Sequence, residues 1–220
     1  MINLEDLAMP VTIFFAVVVL GWFVWGTQSN VRAGDRVMKW LQGGLPIIGE
    51  KTALHWMGSS VMQLRIAKGK APFRSAETLV VFEPRDVIFL WLLSRLQGRR
   101  DLMIFRGSLN SAPGFELEIL DPKGWTTNQT KRDVQKKNWT PMEVTGHAAL
   151  RAFRSGDADV VTAKRVADLA ARGGAKLLRL SVHRDTPNLE AHWLLPKTET
   201  APARDLFSTI REIGEEVLRS

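Results

Sequence analysis

The sequence predicts an α+β protein, in which one N-terminal transmembrane helix is followed by a mostly antiparallel sheet with packed helices. Three observations lead to this fold class. About 20 residues near the N-terminus form an uncharged, apolar stretch, which is the length that a bilayer core requires. Strand-like and helix-like segments then alternate along the chain and are joined by short turns. Hydrophobic residues make up 45% of the 220 residues, which is enough to fill a core.

The composition narrows the classes of partner and of chemistry. The chain has no cysteine, which excludes disulfides, thiolate metal sites and a cysteine nucleophile. Its formal net charge is +7, and a basic chain favours anionic partners such as lipid headgroups, RNA or an acidic protein. Charge alone does not choose among these three.

The uncharged stretch, residues 7–26, predicts a membrane anchor. A helix is the expected structure because the bilayer core offers no water to satisfy a free backbone group. The alternative is a cleaved signal peptide, which needs a basic leading segment and small residues at the cleavage site. Here Glu5 and Asp6 precede the stretch and bulky Trp22 and Trp25 close it, so a retained anchor is the better interpretation.

The charges that flank the anchor predict its orientation. Acidic residues precede it and basic residues follow it, and basic residues favour the cytoplasmic side. The N-terminus is therefore expected outside and the domain in the cytoplasm. Segment 31–42 is expected either to lie on the lipid surface as an amphipathic helix or to continue the anchor into water. The residues predicted at the membrane interface are Trp22, Trp25, Arg32, Arg36, Lys39 and Trp40.

Hydrophobic periodicity predicts the elements of the domain. The predicted strands are 61–67, 78–82, 102–105, 115–120, 142–153, 176–182 and 189–195. The predicted helices are 87–97, 158–172 and 204–219. Asp86 is the expected N-cap of the first helix, and Glu116 and Glu118 are expected on the solvent face of their strand. The apolar stripe of the last helix comprises Leu206, Ile210, Ile213 and Val217.

These elements divide the chain into an anchor, a juxtamembrane segment and one domain, whose two halves are candidates for related β-β-α-β-β units. A polar, basic loop is expected between the halves. The predicted boundaries are 1–28 for the anchor, 29–52 for the juxtamembrane segment, 53–220 for the domain, 53–121 and 142–220 for the halves, and 122–141 for the loop.

Seven consecutive apolar residues, 87–93, cover every side of the first predicted helix. Either the rest of the domain covers this helix, or a partner or the membrane does. Three arginines follow directly, and an apolar helix beside basic residues suits the membrane–water boundary. The predicted contact residues are Val87, Phe89, Leu90, Trp91, Leu92, Arg95, Arg99 and Arg100.

The basic loop contains a second candidate surface. Lysine and arginine side chains beside Trp139 are typical of a phosphate-binding patch, which would admit RNA or the ribosome as a partner. A solvated loop with no ligand is the alternative. The residues of this predicted basic patch are Lys131, Arg132, Lys136 and Lys137.

The sequence offers no strong motif for catalysis, for a cofactor or for a metal. The run His183-Arg184-Asp185 resembles the start of a kinase catalytic loop, but the chain has no Gly-rich loop and no Asp-Phe-Gly. His183 and His192 could face each other across a hairpin, close enough to share an ion, but histidines at the surface or at a rim are the expected arrangement. The expected protein is therefore non-enzymatic and has no cofactor.

Several segments occur in the order found in one known family. They are the run Leu79–Val87, the helix end Leu93–Leu96, and a strand at 189–195 followed by the closing helix. Together with the preceding single span, they resemble the calumin family, the coiled-coil-containing endoplasmic reticulum membrane proteins of the PAT complex. The resemblance implies a non-enzymatic partner in membrane-protein insertion. The family's acidic lumenal segment and coiled-coil tail have no counterpart here, so calcium binding and ribosome contact through a tail are not carried over.

The sequence therefore predicts a non-enzymatic single-pass membrane protein whose cytoplasmic domain binds or scaffolds a membrane-protein complex, with membrane-protein insertion as one such process. The expected partners are the lipid bilayer and another integral membrane protein. Two alternatives stay open. One is an accessory subunit of an energy-transducing membrane complex, and the other is an unrecognised enzyme that acts at the lipid surface.

Overall fold

The computed structural model describes residues 4–144, 149–155, 159–172 and 174–219, and it confirms the α+β fold class. The helices are α1 (Leu4–Gln42), α2 (Leu45–Ile48), α3 (Ile88–Leu96), α4 (Asn128–Lys136), α5 (Val160–Arg172) and α6 (Ala203–Val217). The strands are β1 (Gly49–Met57), β2 (Val61–Gly69), β3 (Phe73–Val81), β4 (Leu102–Leu109), β5 (Leu117–Leu120), β6 (Thr140–Met142), β7 (Arg151–Arg154), β8 (Leu177–Val182) and β9 (Leu189–Leu194). Residues 145–148 of the predicted strand 142–153, and residue 158 of the predicted helix 158–172, lie outside the described residues.

The described strands form one sheet in which neighbouring strands are antiparallel. The order is β1-β2-β3-β4-β9-β8-β5-β7-β6. Strands β1 to β4 follow one another along the chain, with α3 in the connection between β3 and β4, whereas β5 pairs with β7 and β8. The predicted halves 53–121 and 142–220 therefore do not form two equivalent groups of strands. Strand β5 belongs to the first half by sequence, but in the sheet it lies between β8 and β7 of the second half.

One face of the sheet forms the core of the domain. Apolar side chains of the middle strands point to this face, and Phe105, Leu117, Leu180 and Trp193 are all completely buried there. Helix α6 packs on the same face, where the Phe207 ring meets Phe105 edge to face at 6.4 Å. Its predicted apolar stripe is confirmed, since each of the following residues is at most 2% exposed: Leu206, Ile210, Ile213 and Val217.

Helix α1 continues without a break from its apolar stretch into the core of the domain. Its last turns place Ala33, Val37 and Leu41 in the same hydrophobic cluster as the sheet. The face of segment 31–42 that was a candidate for lipid contact is therefore buried against protein. The predicted anchor helix does continue, but it enters the domain rather than water.

Two predictions about this region are wrong because its apolar side chains are part of the domain core. Trp40 was predicted at the membrane interface, but it is only 9% exposed and its indole N–H donates to the Ala201 carbonyl oxygen at 2.5 Å. The juxtamembrane segment 29–52 was predicted to be separate from the domain. It contains the end of α1, α2 and the start of β1, and its apolar side chains belong to the domain core.

Three local predictions are also corrected. The predicted loop 122–141 contains helix α4 and the beginning of β6. Asp86 does not cap α3, because Val87 occupies the N-cap position and the Asp86 carboxylate accepts a hydrogen bond from the Ser59 hydroxyl at 2.5 Å. Glu118 does not face solvent, since it is only 3% exposed. It lies under residues of α4 on the sheet face opposite the core.

Candidate membrane-proximal site

Helix α3 lies directly beside the apolar part of α1. Within the described residues, one helix is long and apolar enough to cross a membrane, and that helix is α1 over Ala8–Gln42. The Trp22 indole N–H donates to the Arg85 carbonyl oxygen at 2.9 Å, and the Trp22 and Trp91 rings are 5.6 Å apart. Gly26 packs so closely on Arg85 that a Cβ atom there would overlap the same carbonyl oxygen. The segment that leads into α3 is therefore fixed against α1.

Four polar residues, here called the junction network (Asn30, Glu83, Arg85 and Asp101), hold this arrangement together. The fully buried Asn30 amide donates to the Glu83 carbonyl oxygen at 3.2 Å and accepts from the Arg85 guanidinium at 2.8 Å. The same guanidinium pairs with Asp101 at 2.7 Å. Asp101 in turn accepts from the Glu83 backbone N–H at 2.8 Å. The network joins α1 to both ends of the β3–β4 connection.

The Glu83 carboxylate also determines which side of α3 faces the domain. It is almost fully buried and accepts from the Trp91 indole at 2.7 Å and from the Arg95 guanidinium at 2.9 Å. The Arg95 guanidinium lies over the Trp91 ring at 4.8 Å. Charge-assisted hydrogen bonds of this kind are stronger than those between neutral groups. They turn one side of α3 inward and leave the other sides outward.

The outward sides of α3 are apolar and uncovered. None of its side chains is buried by the part of the chain that the structure describes. Phe89 and Leu96 are each 79% exposed, which is unusual for large apolar side chains beside a well-packed domain. The described residues therefore do not cover this helix. Of the three covers considered from the sequence, a partner and the membrane remain.

The remaining residues that were predicted to contact a partner or the membrane lie on α3 or next to it. The Arg99 guanidinium lies 5.8 Å from the Trp125 ring, and Arg100 donates to the Arg99 carbonyl oxygen at 2.5 Å. Trp25 is more than half exposed, and its ring is 5.2 Å from Trp22. Val87, Leu90 and Leu92 are also exposed. The predicted basic residues of α1 are exposed as well, and they are Arg32, Arg36 and Lys39.

We expect Asn30→Ala to destabilise the protein by about 1–3 kcal/mol, because it leaves the Arg85 guanidinium and the Glu83 carbonyl with unsatisfied hydrogen bonds. Gln28→Ala, at an exposed position of the same helix, is the matched control and should change stability by less than about 0.5 kcal/mol. Chemical unfolding of the full chain in detergent micelles measures both values. Equal effects of the two substitutions would contradict the role of the network.

A second candidate site lies on the sheet face opposite the core. A cavity of about 240 Å³ separates α4 from β5 and β8. Lys136 and Lys137 of the predicted basic patch are among its lining residues, and the Lys137 amine lies 5.0 Å from the Trp139 ring. The other two patch residues are elsewhere. Lys131 donates to the Pro122 carbonyl oxygen, and Arg132 is exposed.

The floor of this cavity is the buried carboxylate of Glu118. It accepts hydrogen bonds from His183 Nε2 at 3.0 Å, Arg179 Nη2 at 3.1 Å and Ser181 Oγ at 2.7 Å. Burial alone would raise the pKa of Glu118, but the donors outweigh burial and lower it. This cluster could not be predicted from the sequence, because the alternation of apolar residues indicates a solvent face for Glu118, and α4 covers that face.

His183 is shared between two carboxylates. Its Nε2 faces Glu118 and its Nδ1 faces Glu116 at 3.4 Å. The hydrogen bond to Glu118 is the main cause of a raised His183 pKa, with Glu116 acting in the same direction and burial opposing both. Since both ring nitrogens are engaged, the imidazole is poorly placed to accept a proton from a substrate. The arrangement suits a structural ion pair.

His192 is bound to a different carboxylate. Its Nε2 lies 2.9 Å from Glu190, and this hydrogen bond, with help from Arg106 and against burial, lowers the pKa of Glu190 to about 2. His192 pairs across the strands with Arg179, not with His183. The alternative in which the two histidines face each other is therefore excluded. The expected surface position is wrong for His192, which is only 8% exposed. The described residues also contain no cluster of three His, Asp or Glu side chains suited to a metal ion.

The fold should lose stability through His183 as the pH rises above about 6.5. Because its folded-state pKa lies above the ordinary value of 6.5, protonated His183 contributes its full stabilisation below about pH 6.5. That contribution is lost as the pH rises through the raised pKa. We expect the difference in free energy of unfolding between the wild type and His183→Gln to shrink as the pH rises from about 6.5 through the raised His183 pKa. Chemical unfolding at a series of pH values measures this difference. The exposed His55→Gln is the control, and a difference that is constant with pH would contradict the assignment.

Neither a protein-family model nor a curated protein matches the chain. The resemblance to the calumin family therefore stays a prediction. The geometry of α1, α3 and the junction network is therefore the main evidence on function.

Proposed function

We propose that this chain is a single-span membrane protein whose α+β domain lies on the cytoplasmic side and acts as a non-enzymatic scaffold for a membrane-protein complex. The observation that carries the proposal is the path of α1, which runs without a break from its exposed apolar part into the domain core. A domain mounted in this way keeps a fixed position relative to the membrane. A fixed position is what a scaffold needs in order to present a binding surface to a neighbouring integral protein.

Two further features support the proposal. Arg32, Arg36 and Lys39 are exposed on α1 just beyond the apolar stretch, where basic residues favour the cytoplasmic side. The pair formed by buried Glu118 and half-buried His183 uses both carboxylate oxygens and both ring nitrogens in contacts with other side chains. Such a pair suits stability better than proton transfer. The resemblance to the calumin family favours membrane-protein insertion as the process that the scaffold serves.

Cross-linking in native membranes, followed by purification in mild detergent and mass spectrometry, tests the proposal. We expect recovery of an integral membrane protein of the insertion machinery. Recovery should persist with Gly21→Leu, because a side chain at Gly21 meets nothing within 4 Å. It should fall several-fold with Gly26→Leu, which forces α3 away from α1.

Two results would contradict the proposal in different ways. A solitary monomer would argue against a scaffold of any kind. Stoichiometric recovery with one respiratory or photosynthetic complex would argue against the role in insertion and for the accessory-subunit alternative.

A further inference from the structure

Helix α3 lies at the depth of the membrane anchor rather than below it. Trp22 and Gly26, which contact the segment leading into α3, both belong to the uncharged stretch 7–26. With a rise of about 1.5 Å per residue, Trp22 lies about 6 Å inside the end of that stretch. Since Trp22 contacts Trp91 at 5.6 Å, the middle of α3 is close to the same depth. This inference rests on the proposal that α1 crosses a membrane.

The uncovered surface of α3 is wide as well as apolar. At about 100° per residue, its exposed apolar side chains cover an arc of about 200°. The centre of the arc is formed by Phe89 and Leu96, and the domain lies on the opposite side, where Glu83 holds Trp91 and Arg95. The residues of this outward arc are Ile88, Phe89, Leu90, Leu92, Leu93 and Leu96.

We infer that α3 is an interfacial helix whose outward arc is inserted in the lipid leaflet on the side of the domain. The protein then contacts the bilayer at two places, through the span of α1 and through α3. The apolar side chains of α1 next to Trp22 are exposed as well, with Phe23 at 50% and Trp25 at 54%. A helix with a broad apolar side and neighbouring basic residues is the type that lies at the boundary between headgroups and acyl chains.

Lipid fits this surface better than another protein chain. A helix that docks in a protein groove uses one stripe of residues spaced three and four apart, which is about half as wide as this arc. Acyl chains adapt to any apolar shape and can cover all of it. Arg99 and Arg100 follow α3 at once, where a cation can reach lipid phosphates while its stem remains in the apolar region.

The absence of cysteine allows a direct test by single-cysteine labelling of the full chain. Phe89→Cys, Leu92→Cys and Leu96→Cys would carry an environment-sensitive fluorophore, and the protein would be reconstituted in phosphatidylcholine–phosphatidylglycerol vesicles at high lipid excess. Because these three side chains are exposed, labelling should leave the packing intact, and the melting temperature checks this. His55→Cys, exposed on β1, is the aqueous control.

We expect doxyl-labelled lipid to quench the three α3 labels several-fold more strongly than the His55 label, and iodide to show the reverse order. Quenching of the α3 labels by iodide to the level of His55 would overturn the inference. Protection of α3 from both quenchers would also overturn it, because protein, either this chain itself or a second copy of it, would then cover the arc. The vesicles contain no other protein, so the outcome does not depend on whether the scaffold proposal holds.

Discussion

Replacing Gly26 with alanine should destabilise the protein by about 1–3 kcal/mol, which is the usual cost of an overpacked contact. The new Cβ atom would overlap the Arg85 carbonyl oxygen, which is backbone and cannot rotate away. The chain around Arg85 must then move, and it takes with it the acceptor of the Trp22 indole N–H and the contact between Trp22 and Trp91. Chemical unfolding of the full chain in detergent micelles measures the loss.

The matched control is Gly21→Ala, one turn and a half earlier on the same helix. A Cβ atom at Gly21 meets nothing within 4 Å. Alanine is the better helix former by about 1 kcal/mol, so this substitution should leave stability unchanged or raise it. The account is contradicted if alanine has the same effect at Gly21 and Gly26, because the close approach of α1 to Arg85 would then carry no energetic weight.

Replacing Glu118 with alanine should cost about 3–5 kcal/mol at neutral pH, the range for breaking a buried ion pair by removing one partner. Arg179 and His183 would both lose their main acceptor, and the Ser181 hydroxyl would lose its partner. The His183 pKa should fall as well, since its hydrogen bond to Glu118 is the largest cause of the upward shift. Unfolding measurements and a histidine titration by NMR report the two effects.

Glu116→Ala is the control for this second prediction. Glu116 lies two residues away on the same face of the chain, but its contacts with His183 and Lys137 are longer, at 3.4 and 3.9 Å, and it is a quarter exposed. Its removal should cost about 1 kcal/mol or less. If the two alanine variants proved equally stable, the buried cluster under α4 would not be the stabilising feature that its geometry indicates.

The elements with strong apolar patterns could be predicted from the sequence, and those without such patterns could not. Helix α6 carries four core residues at helical spacing, and its predicted stripe is the one observed. Helix α4 has a single buried apolar residue on its own segment, Val134, so its polar residues indicated a loop. Strand β1 is exposed on both faces from Glu50 to His55, and the alternation that marks a half-buried strand is therefore missing there.

The candidate site was predicted in part. The apolar run of α3 and the tryptophans of α1 stand out in the sequence, but the junction network does not, because Asn30 and Asp101 are far apart along the chain. One signal was available: Gly26, Asn30 and Gly34 recur at intervals of four residues on one face of α1. Small and polar side chains at this spacing indicate a helix face that another segment approaches closely. At Gly34 the approaching group is the Trp56 indole.

We expect α1 and the domain to form one rigid unit, without a hinge between the apolar stretch and the domain core. A spin-label distance measurement on the full chain in lipid nanodiscs tests it, with labels at Leu20→Cys on α1 and His55→Cys on β1, both exposed positions in a chain that has no other cysteine. We expect a single narrow distance distribution, which broadens when Gly26→Leu is added. A broad distribution in the protein with native Gly26, as a flexible linker produces, would contradict it.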